Sequence, residues 1–517
     1  MKKLMYIVFV TSSILFTSCN DWILEPTPGK TLLEDYFTVG ETAIQTTNGA
    51  YVPLMWEFNN TYFPEWFIGD VVSDDALKGG QSVGDMADVY DFENFKTNSN
   101  NGFLLDYYRA QYQGIGRCNL ALQNVPLLDT DSVMTASVQK RLIGELKFLR
   151  AMYYFRLVRV FGGVPVSLEP IESSADWKKP RATTAAVYNL IISDLTDANN
   201  GLWKKSQYAK TDLGRATKGA AQAMLLKVNL YTKNYADAKR WGDSIMTSNE
   251  YELVANYADN FTLAGENGKE SVFEIQYMAD PTSDFGNGNG FTRGTYAVIL
   301  TRSRASKFGG WGFNKPTQNL YNEFETSDPR RDVTIFNPSD ADIETPAQEI
   351  YLGSRFLNRK YALMYSDNSI YKLDHPTRGP INNKVIRYAD VLLMYAEACC
   401  ELNKLSEAKA ALEQVRARAR NNGSILPAFP YGAYADNQTD LRKAIRHERR
   451  VELAMEGHRW FDLCRWGVAK ETMDAYKLTE TTEAKAEMAT FIAGKHELFP
   501  IPSQEIDLNP MDQNPQY

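Results

Sequence analysis

The stretch HERRVELAMEGHRWFDLCRWG, residues 447–467, combines two histidines, four acidic residues, four arginines and a cysteine in one short segment. A zinc-protease helix needs His-Glu-x-x-His, in which two imidazoles four residues apart bind one metal. Here Val451 stands where the second histidine is required, and His458 lies beyond Gly457, a residue expected to end the helix. The segment therefore predicts a scaffold element and no metal site.

The charges of this segment have a structural interpretation. Glu448 falls inside an apolar stripe, and a buried carboxylate must be paired with a cation. Arg446, Arg449 and Arg450 are the nearest candidates along the chain. Glutamates also recur every four residues, a spacing that lets them meet arginines on the same helix or on neighbours. The stripe consists of Leu441, Ala444, Ile445, Val451, Ala454 and Met455.

Composition and charge exclude one class of partner. The chain has 517 residues, a formal net charge of −8 and 23% charged residues. An acidic protein without a basic field does not attract nucleic acid, so no nucleic-acid partner is expected. The 29 tyrosines, 25 phenylalanines and 9 tryptophans would fill a core, and they also suit a surface that stacks on sugars or other flat ligands.

The N-terminus, MKKLMYIVFVTSSILFTSC, predicts export and lipid anchoring. A basic start and a short apolar run are typical of a signal peptide, assigned to residues 1–18. Cys19 stands where a bacterial lipoprotein is cut and lipidated; the alternative is a cleaved signal with a coincidental cysteine. Residues 19–34 are then expected to form an extended tether, and the rest of the protein to be exported and anchored to the membrane through Cys19.

The remaining cysteines predict neither a metal site nor a disulfide framework. No Cys-x-x-Cys pair or zinc-ligand spacing occurs among them. All lie in stretches with helical periodicity, so buried thiols are expected. They are Cys118, Cys399, Cys400 and Cys464.

Helical periodicity dominates two parts of the chain, residues 103–250 and 384–466. The expected helices are 104–125, 138–161, 184–200, 215–231, 237–247, 384–402, 406–420 and 439–456. An internal repeat relates LLKVNLYTKNYADAKRWGDSI (225–245) to YAEACCELNKLSEAKAALEQV (395–415) at a shift of 170 residues. In both copies a helix, a tight turn and an alanine at the crossing predict a tetratricopeptide-like hairpin. The fold class is therefore mostly α, a helical-repeat scaffold.

Residues 51–102 and 251–383 have a different character, rich in Gly, Asn, Asp, Ser and Pro, with short strand-like runs such as SVFEIQY (271–277). Long loops on a rigid scaffold are where binding sites usually lie. We expect an irregular, loop-rich ligand-binding insertion within a single domain, residues 35–517.

Candidate catalytic motifs fail on spacing. GNGNG at 286–290 lacks the Gly-x-Gly-x-x-Gly pattern, and no P-loop lysine or nucleophile elbow occurs. Asp74 and Asp75 could form the carboxylate pair of a glycoside hydrolase, but adjacent residues in a loop usually point apart. An enzyme is therefore not expected, although a lipid-anchored hydrolase stays an alternative that polysaccharide cleavage would reveal.

Aromatic residues in the polar loops are the better functional candidates. Trp311 lies in GGWGFNKPTQNLYNEF (309–324), between glycines, and Tyr296 lies in RGTYAV (293–298). Sugar faces carry C–H groups that pack on such rings, while neighbouring polar side chains bind the hydroxyls. A Trp311 ring folded back onto the scaffold is the competing interpretation.

Five blocks in order resemble the SusD/RagB family of outer-membrane nutrient-binding lipoproteins, together with the lipoprotein cysteine and its tether. They are ELKFLRAMYYFRLVRVFGGVPV (145–166), RATKGAAQAMLLKVNLYTKNYADA (215–238), VIRYADVLLMYAEACCEL (385–402), LRKAIRHERRVELAMEGHRWFDLCRWG (441–467) and LFPIPSQEIDLNPMDQNPQY (498–517). The resemblance implies four tetratricopeptide-like hairpins and an irregular binding side, without catalysis or a cofactor.

The resemblance also implies a partner and a site. The protein would sit on the outer surface of a Gram-negative outer membrane over a SusC-like TonB-dependent transporter and deliver an oligosaccharide or polysaccharide to it. Trp311 and Tyr296 match positions where glycan-binding members place stacking rings. The loop SDDALKGGQ (73–81) matches another binding segment, which makes Asp75, Lys78 and Gln81 candidates for hydroxyl contacts.

One departure from the family concerns the ligand. The 73–81 loop has no aromatic residue where some starch-binding members have one, which argues against starch. A different glycan stays open, and so does a peptide or protein ligand in a chain that works only as a partner of the transporter.

Overall fold

A computed structural model describes residues 36–517, apart from 56, 58–63, 172, 174–175, 177, 282–292, 366 and 421–425. The predicted signal peptide, Cys19 and the tether lie outside the described residues, and so does GNGNG at 286–290. Their assignments therefore stay predictions.

Helices form the bulk of the described chain. In chain order they are α1 Gly40–Tyr51, α2 Ile68–Val71, α3 Ala87–Glu93, α4 Gly102–Asn124, α5 Ala136–Phe161, α6 Thr184–Gly201, α7 Lys218–Tyr231, α8 Tyr235–Met246, α9 Ala297–Thr301, α10 Gln318–Glu323, α11 Arg330–Thr334, α12 Pro346–Glu349, α13 Tyr388–Glu401, α14 Leu405–Ala419, α15 Gln438–Glu452, α16 Arg459–Trp466, α17 Ala469–Thr479, α18 Thr482–Glu487 and α19 Ser503–Leu508. The long helices fall in the two parts where periodicity predicted them, which confirms a mostly α fold.

Threonine caps fix where several long helices begin. The side chains of Thr135, Thr183 and Thr217 accept hydrogen bonds from the first-turn amides of α5, α6 and α7. Such a cap satisfies an amide that would otherwise lack a partner and typically contributes about 1 kcal/mol. At the other end of α5, Gly162 has a positive φ of 72°, a conformation that suits glycine, and ends the helix.

The internal repeat corresponds to two helical hairpins. Helix α7 ends at Tyr231 and α8 begins at Tyr235, while α13 ends and α14 begins 170 positions later. Ala238 and Ala408, the alanines expected at the crossings, are fully buried. Each small side chain lets its hairpin close tightly, so the repeat is confirmed as a pair of tetratricopeptide-like units.

Short antiparallel strands occur in the loop-rich parts. They are β1 Ala76–Gly79, β2 Ser271–Ile275, β3 Phe313–Pro316, β4 Ile335–Phe336, β5 Leu357–Asn358 and β6 Asn383–Arg387, paired as β1–β3, β2–β6 and β4–β5. The expected helix 384–402 is therefore wrong at its start. The run NKVIR pairs with β2 instead, because β-branched residues suit a strand buried against a neighbour.

One hydrophobic core joins the helical and loop-rich parts, with members from Ala43 near the start to Ile501 near the end. Among the described residues, no helix is both long enough and apolar enough to cross a membrane.

The stretch quoted at the outset forms α15, a sharp turn and α16. Helix α15 ends at Glu452, four residues earlier than expected, because Gly457 (φ 78°) lies against the Trp66 carbonyl. A Cβ at position 457 would lie 2.4 Å from that carbonyl oxygen, so only glycine fits there. Asp70 accepts a hydrogen bond from the Gly457 amide at 2.9 Å and holds the turn against α2.

Glu448 is buried and paired, but its partners were predicted wrongly. Its carboxylate binds Arg330 at 2.5 Å and Arg416 at 2.8 Å, and neither lies on α15. Residues one or two positions away on a helix face other directions, so Arg449 and Arg450 could not reach it. Glu452 follows the same rule and binds Arg330 and Arg387 at 3.1 and 3.0 Å.

Candidate functional site

The two segments predicted to bind ligand lie side by side. Strand β1 pairs with β3, with Gly79 opposite Phe313, and the Gly80 amide donates to the Gly312 carbonyl at 2.8 Å. Residues 80–85 and 309–312 thereby form one continuous surface, called the Trp311 surface below.

Trp311 sits on a turn that the backbone holds firmly. Its amide donates to the Ile299 carbonyl at 2.8 Å, and the amides of Gly310 and Gly312 donate to Ser303 and Arg302. Position 312 has a φ of 68°, which favours glycine. The ring is partly exposed and packs against the hydrophobic core on one side. A large aromatic face on a rigid support is therefore available to a ligand.

Tyr296 does not provide a second exposed ring. Only 1% of its surface is accessible, and its ring centroid lies 6.4 Å from that of Trp311 at an angle of 34°. The Tyr296 amide donates to Glu57, which also accepts from Tyr277 and Thr295. The expected ligand contact is therefore corrected: Tyr296 packs beneath Trp311 and supports it.

Burial gives Glu57 an unusual proton affinity. Loss of solvent raises the pKa of this carboxyl to about 7, although its three hydrogen-bond donors act in the opposite direction. The charge state of Glu57 can therefore change near neutral pH, directly under the aromatic pair.

Lys78 is also corrected from a ligand contact to a support. Its side chain is fully buried, and Nζ donates to the carbonyls of Gly79, Ser82 and Asp85 at 2.8, 3.0 and 2.5 Å. Burial lowers the pKa of its ammonium to about 8. The ammonium closes the 79–85 loop from within by binding three of its backbone oxygens.

Asp75 faces the scaffold. Its carboxylate accepts from Arg450 Nε at 2.8 Å and is fully buried, so it is not positioned to bind a sugar hydroxyl. Asp74 forms ion pairs with Arg450 and Arg459 at 2.9 and 2.8 Å. These ion pairs fasten the start of β1 to α15 and α16, and the predicted contact from Asp75 is corrected accordingly.

Gln81 is the member of the 73–81 set that is exposed on the Trp311 surface. The backbone amide of Gln81 donates to Asp85 Oδ2 at 3.0 Å, and the Arg304 guanidinium donates to the same oxygen at 2.8 Å. The Gln81 side chain thus projects from a loop that is fixed to the neighbouring 302–304 segment. It stays a candidate for hydroxyl contacts.

Asp85, Arg304 and Glu57 shape this surface but were missed from the sequence. Their neighbours are ordinary loop residues, so no motif marks them. The adjacent glycines in KGGQ (78–81) were the one sequence signal for this surface. In the structure Gly79 and Gly80 both have positive φ values, 80° and 78°. Paired glycines in such a conformation indicate a backbone that must approach another segment closely.

Two chemical candidates from the sequence, a metal centre and the Asp74–Asp75 carboxylate pair, can be compared with the described residues. No group of three or more His, Cys, Asp or Glu residues in the described part of the chain is arranged to hold a metal ion. Burial alone would raise the pKa of Asp74, but Arg450 and Arg459 lower it to about 2. A carboxyl held ionised by two arginines cannot donate a proton to a leaving group near neutral pH.

Comparison with known proteins agrees with the resemblance. Residues 346–517 match a family profile described as the SusD family, and residues 69–230 match one described as starch-binding and associating with the outer membrane. The chain belongs to the SusD/RagB family. This SusD-family protein is 27% identical over 540 residues to SusD-like protein P2 of Formosa agariphila, with 99% of each chain covered.

Two solved structures share the fold of this SusD-family chain. A laminarin-binding SusD-like protein is 28% identical, with a TM-score of 0.78 over 93% of this chain and 100% of that one. Surface glycan-binding protein A from Bacteroides fluxus is 25% identical, with a TM-score of 0.77 and the same coverage. The tetratricopeptide-like helical scaffold is therefore common to all three.

Proposed function

We propose that this protein is a cell-surface lipoprotein that captures a nutrient glycan and delivers it to a SusC-like TonB-dependent transporter. The observation that carries the proposal is the Trp311 surface. A partly exposed indole stands on a hydrogen-bonded turn beside a polar loop whose backbone is also fixed. An aromatic face with flanking polar groups matches the apolar faces and hydroxyl edges of a sugar ring.

The backbone of the Trp311 surface is held in place before a ligand binds, which favours the binding of a largely polar ligand such as a sugar. Three backbone hydrogen bonds hold residues 310–312, and Lys78 holds the opposite loop through three carbonyl oxygens. A ligand that binds a rigid surface loses less free energy to ordering the protein. Tyr296 and Glu57 below the ring act in the same direction by fixing its support.

The proposed ligand class rests on the relatives and on the lack of an aromatic residue in the 73–81 loop. A laminarin-binding protein and a surface glycan-binding protein share the fold at 28% and 25% identity. The 73–81 loop supplies Gln81 and no aromatic ring, so the surface offers Trp311 as its stacking platform there. We infer a glycan other than starch, and β-glucan oligosaccharides are the first ligands to test.

Anchoring and delivery rest on the N-terminus and the family. The predicted lipid on Cys19 would hold the protein to the outer membrane, and the tether, residues 19–34, would let it reach the transporter. Metabolic labelling with a fatty acid, compared between the native chain and Cys19→Ala, tests the anchor. Co-purification of the native chain with a SusC-like barrel from the outer membrane tests the partner.

The binding test uses calorimetry on the full chain in detergent with β-glucan, α-glucan and other glycan oligosaccharides. Trp311→Ala should abolish saturable binding, whereas Trp203→Ala should leave it unchanged. Trp203 is a matched control because it is also partly exposed but lies on the helical scaffold, where it donates to Ser137 at 3.1 Å. Equal affinity in the Trp311 variant would overturn the site.

A non-catalytic role predicts that the protein releases no new reducing ends from polysaccharide. The alternative function, a peptide- or protein-binding partner of the transporter, predicts that no glycan binds and that Trp311→Ala does not change ligand capture. Transporter association should be unchanged in Trp311→Ala under the glycan-binding function too, so the calorimetric panel separates these alternatives.

A further inference from the structure

A second depression lies on the scaffold, away from the Trp311 ring. This groove has a volume of about 540 Å³, within the range of small-molecule binding sites. Helices α10, α15, α16 and α17 line it, and it is called the α15–α17 groove below. Its charged lining residues are Asp74, Glu323, Lys443, Arg446, His447, Arg450, Arg459 and Glu471.

The floor of the groove is already neutralised. Arg450 binds Glu323 at 3.0 Å and Asp74 at 2.9 Å, and Arg459 binds Asp74 at 2.8 Å. His447 binds the same Glu323 at 2.8 Å. Each acidic group of the floor is therefore paired with a cation, although Arg450 also binds Asp75 and His447 also approaches Glu325, so the floor repels an incoming anion only weakly.

Arg446 differs from the other arginines of the groove. Among the described residues, no carboxylate lies within ion-pair distance of its guanidinium, and its buried Nε has no hydrogen-bond partner. Arg442, one helical turn earlier, shows the contrast, since it binds both oxygens of Glu401 at 2.5 and 3.0 Å. Arg446 is thus a partly buried cation without a direct ion pair. Glu397 and Glu401 attract it electrostatically but bind Arg465 and Arg442, so its charge is only partly compensated until an anion binds.

The Arg446 guanidinium is nevertheless held in place. Its Cζ lies 4.7 Å from the ring centroid of Trp466, and that indole donates to Glu397 at 3.1 Å. Arg465 stacks on the same ring at 4.9 Å and binds Glu397 too. A guanidinium stacked on a fixed indole keeps its fork of N–H donors in one plane, the geometry that binds oxyanions bidentately.

From this arrangement we propose that the α15–α17 groove binds an oxyanion, with Arg446 as the anchoring residue. The ligand chemistry is a carboxylate or sulfate group, carried either by an acidic sugar or by a free inorganic anion. Glu471 lines the groove without an ion-pair partner among the described residues and weakens the attraction. The proposal stands independently of glycan binding at Trp311.

Calorimetry on the full chain in detergent at low salt tests this with three probes: digalacturonate, the neutral disaccharide galactobiose and sodium sulfate. Digalacturonate should bind and galactobiose should not. Arg446→Gln should weaken digalacturonate binding by about tenfold or more, because a charge-assisted bidentate contact is lost. Arg446→Lys keeps the charge but loses the fork and should fall between.

Glu471→Gln is the complementary variant. It removes an exposed negative charge and should tighten digalacturonate binding by about two- to fivefold. Because Glu471 is exposed, this variant still decides the matter if Arg446→Gln fails to fold. Trp311→Ala should leave digalacturonate binding unchanged, which separates this groove from the Trp311 surface.

The outcomes are distinct. Sulfate binding as tight as digalacturonate binding, lost in Arg446→Gln, supports the groove as a site for a free anion; a clear preference for digalacturonate supports an acidic sugar. The proposal is overturned if no anionic probe binds, if galactobiose binds the Trp311→Ala variant as tightly as digalacturonate does, if neither the Arg446 nor the Glu471 variant changes the affinity, or if Trp311→Ala abolishes digalacturonate binding.

Discussion

The α15 ion-pair cluster and the Trp311 surface use polar residues in opposite ways. In the cluster, formed by Glu448, Glu452 and their arginine partners, the charges are buried and bind one another across distant segments. At the Trp311 surface the charges of Asp75 and Lys78 face inward, and an indole and an amide side chain face outward. A charge-dense stretch in this chain therefore marks scaffold, while an aromatic residue between glycines marks the surface proposed to bind ligand.

Burial explains why the cluster is scaffold. Arg330 is fully buried and binds Asp328 at 2.7 Å as well as both glutamates of α15. Its partners lie on α15 and in the loop before α11, so one side chain ties the loop-rich part to the helical part. Replacing a whole buried ion pair can be neutral, but removing one partner leaves the other charges uncompensated.

The largest expected effect is at Arg330. Arg330→Met keeps most of the side-chain volume but removes a cation shared by three buried carboxylates and leaves Asp328 without its ion-pair partner, and should lower the free energy of unfolding by about 3–5 kcal/mol. Urea denaturation measures this. The control Arg355→Met removes the exposed pair with Asp340 and should change stability by less than about 1 kcal/mol. Equal effects in the two variants would show that the cluster does not hold the fold.

The next largest effect is the pH dependence of the free energy of unfolding that His447 contributes. Burial would lower its pKa, but hydrogen bonds to Glu323 and Glu325 raise it to about 9, above the ordinary 6.5. The folded state therefore favours the protonated form. This contribution is complete below pH 6.5 and is lost as the pH rises through 9, by up to about 3 kcal/mol.

Unfolding free energies at pH 6 and pH 9 test the His447 prediction. The native chain should lose more stability over this interval than His447→Gln does, since the glutamine cannot titrate. Equal losses of stability in the native chain and in His447→Gln would contradict the role of His447. The loss of stability at high pH would then come from other groups, such as Glu57, whose contribution to stability is lost as the pH rises through about 7.

At the Trp311 surface, a substitution should weaken ligand binding more than it lowers the stability of the fold. Trp311→Ala should cost about 2 kcal/mol or more of glycan binding free energy, the scale of an aromatic hot spot. Its unfolding free energy should change less than that of Arg330→Met, because the ring is only partly buried. Calorimetry and urea denaturation on one preparation give both numbers. A variant that unfolds as readily as Arg330→Met would place Trp311 in the scaffold.

The smallest effect is expected at Gln81. Gln81→Ala removes one exposed amide and should weaken glycan binding by about 0.5–1.5 kcal/mol without changing stability. Gln504→Ala, a glutamine on α19, is the control and should leave binding unchanged. An unaltered affinity in Gln81→Ala would limit the site to the Trp311 side of the β1–β3 pair.

Local pattern predicted much of this fold. The 170-residue repeat located the α7–α8 and α13–α14 hairpins, and apolar periodicity located the long helices within a few residues. The errors lie where contacts between distant segments decide which local structure forms. NKVIR became a strand because β2 offered it a partner, and α15 stopped at Glu452 because Gly457 had to approach Trp66.

The site was only partly predictable. Trp311 was selected because an indole between glycines in a polar loop has little core to enter, and Gln81 was selected because the 73–81 loop resembles a binding segment of the family; both stay predicted contacts. Tyr296, Asp75 and Lys78 were selected as a second ring and from the same resemblance, yet all three are buried. Local sequence describes which residues a loop contains, but not which of its faces another segment covers.

By itself, the sequence determined the helical repeats and the glycine-rich loops, because these depend on residues close together in the chain; for the same reason it predicts the export signal, which lies outside the described residues. Only the tertiary structure decided which charges pair. Glu448 meets Arg330 across 118 positions and Arg450 meets Asp75 across 375. A buried charge requires an opposite charge within a few ångströms, and that distance is set by how distant segments pack and not by their order in the chain.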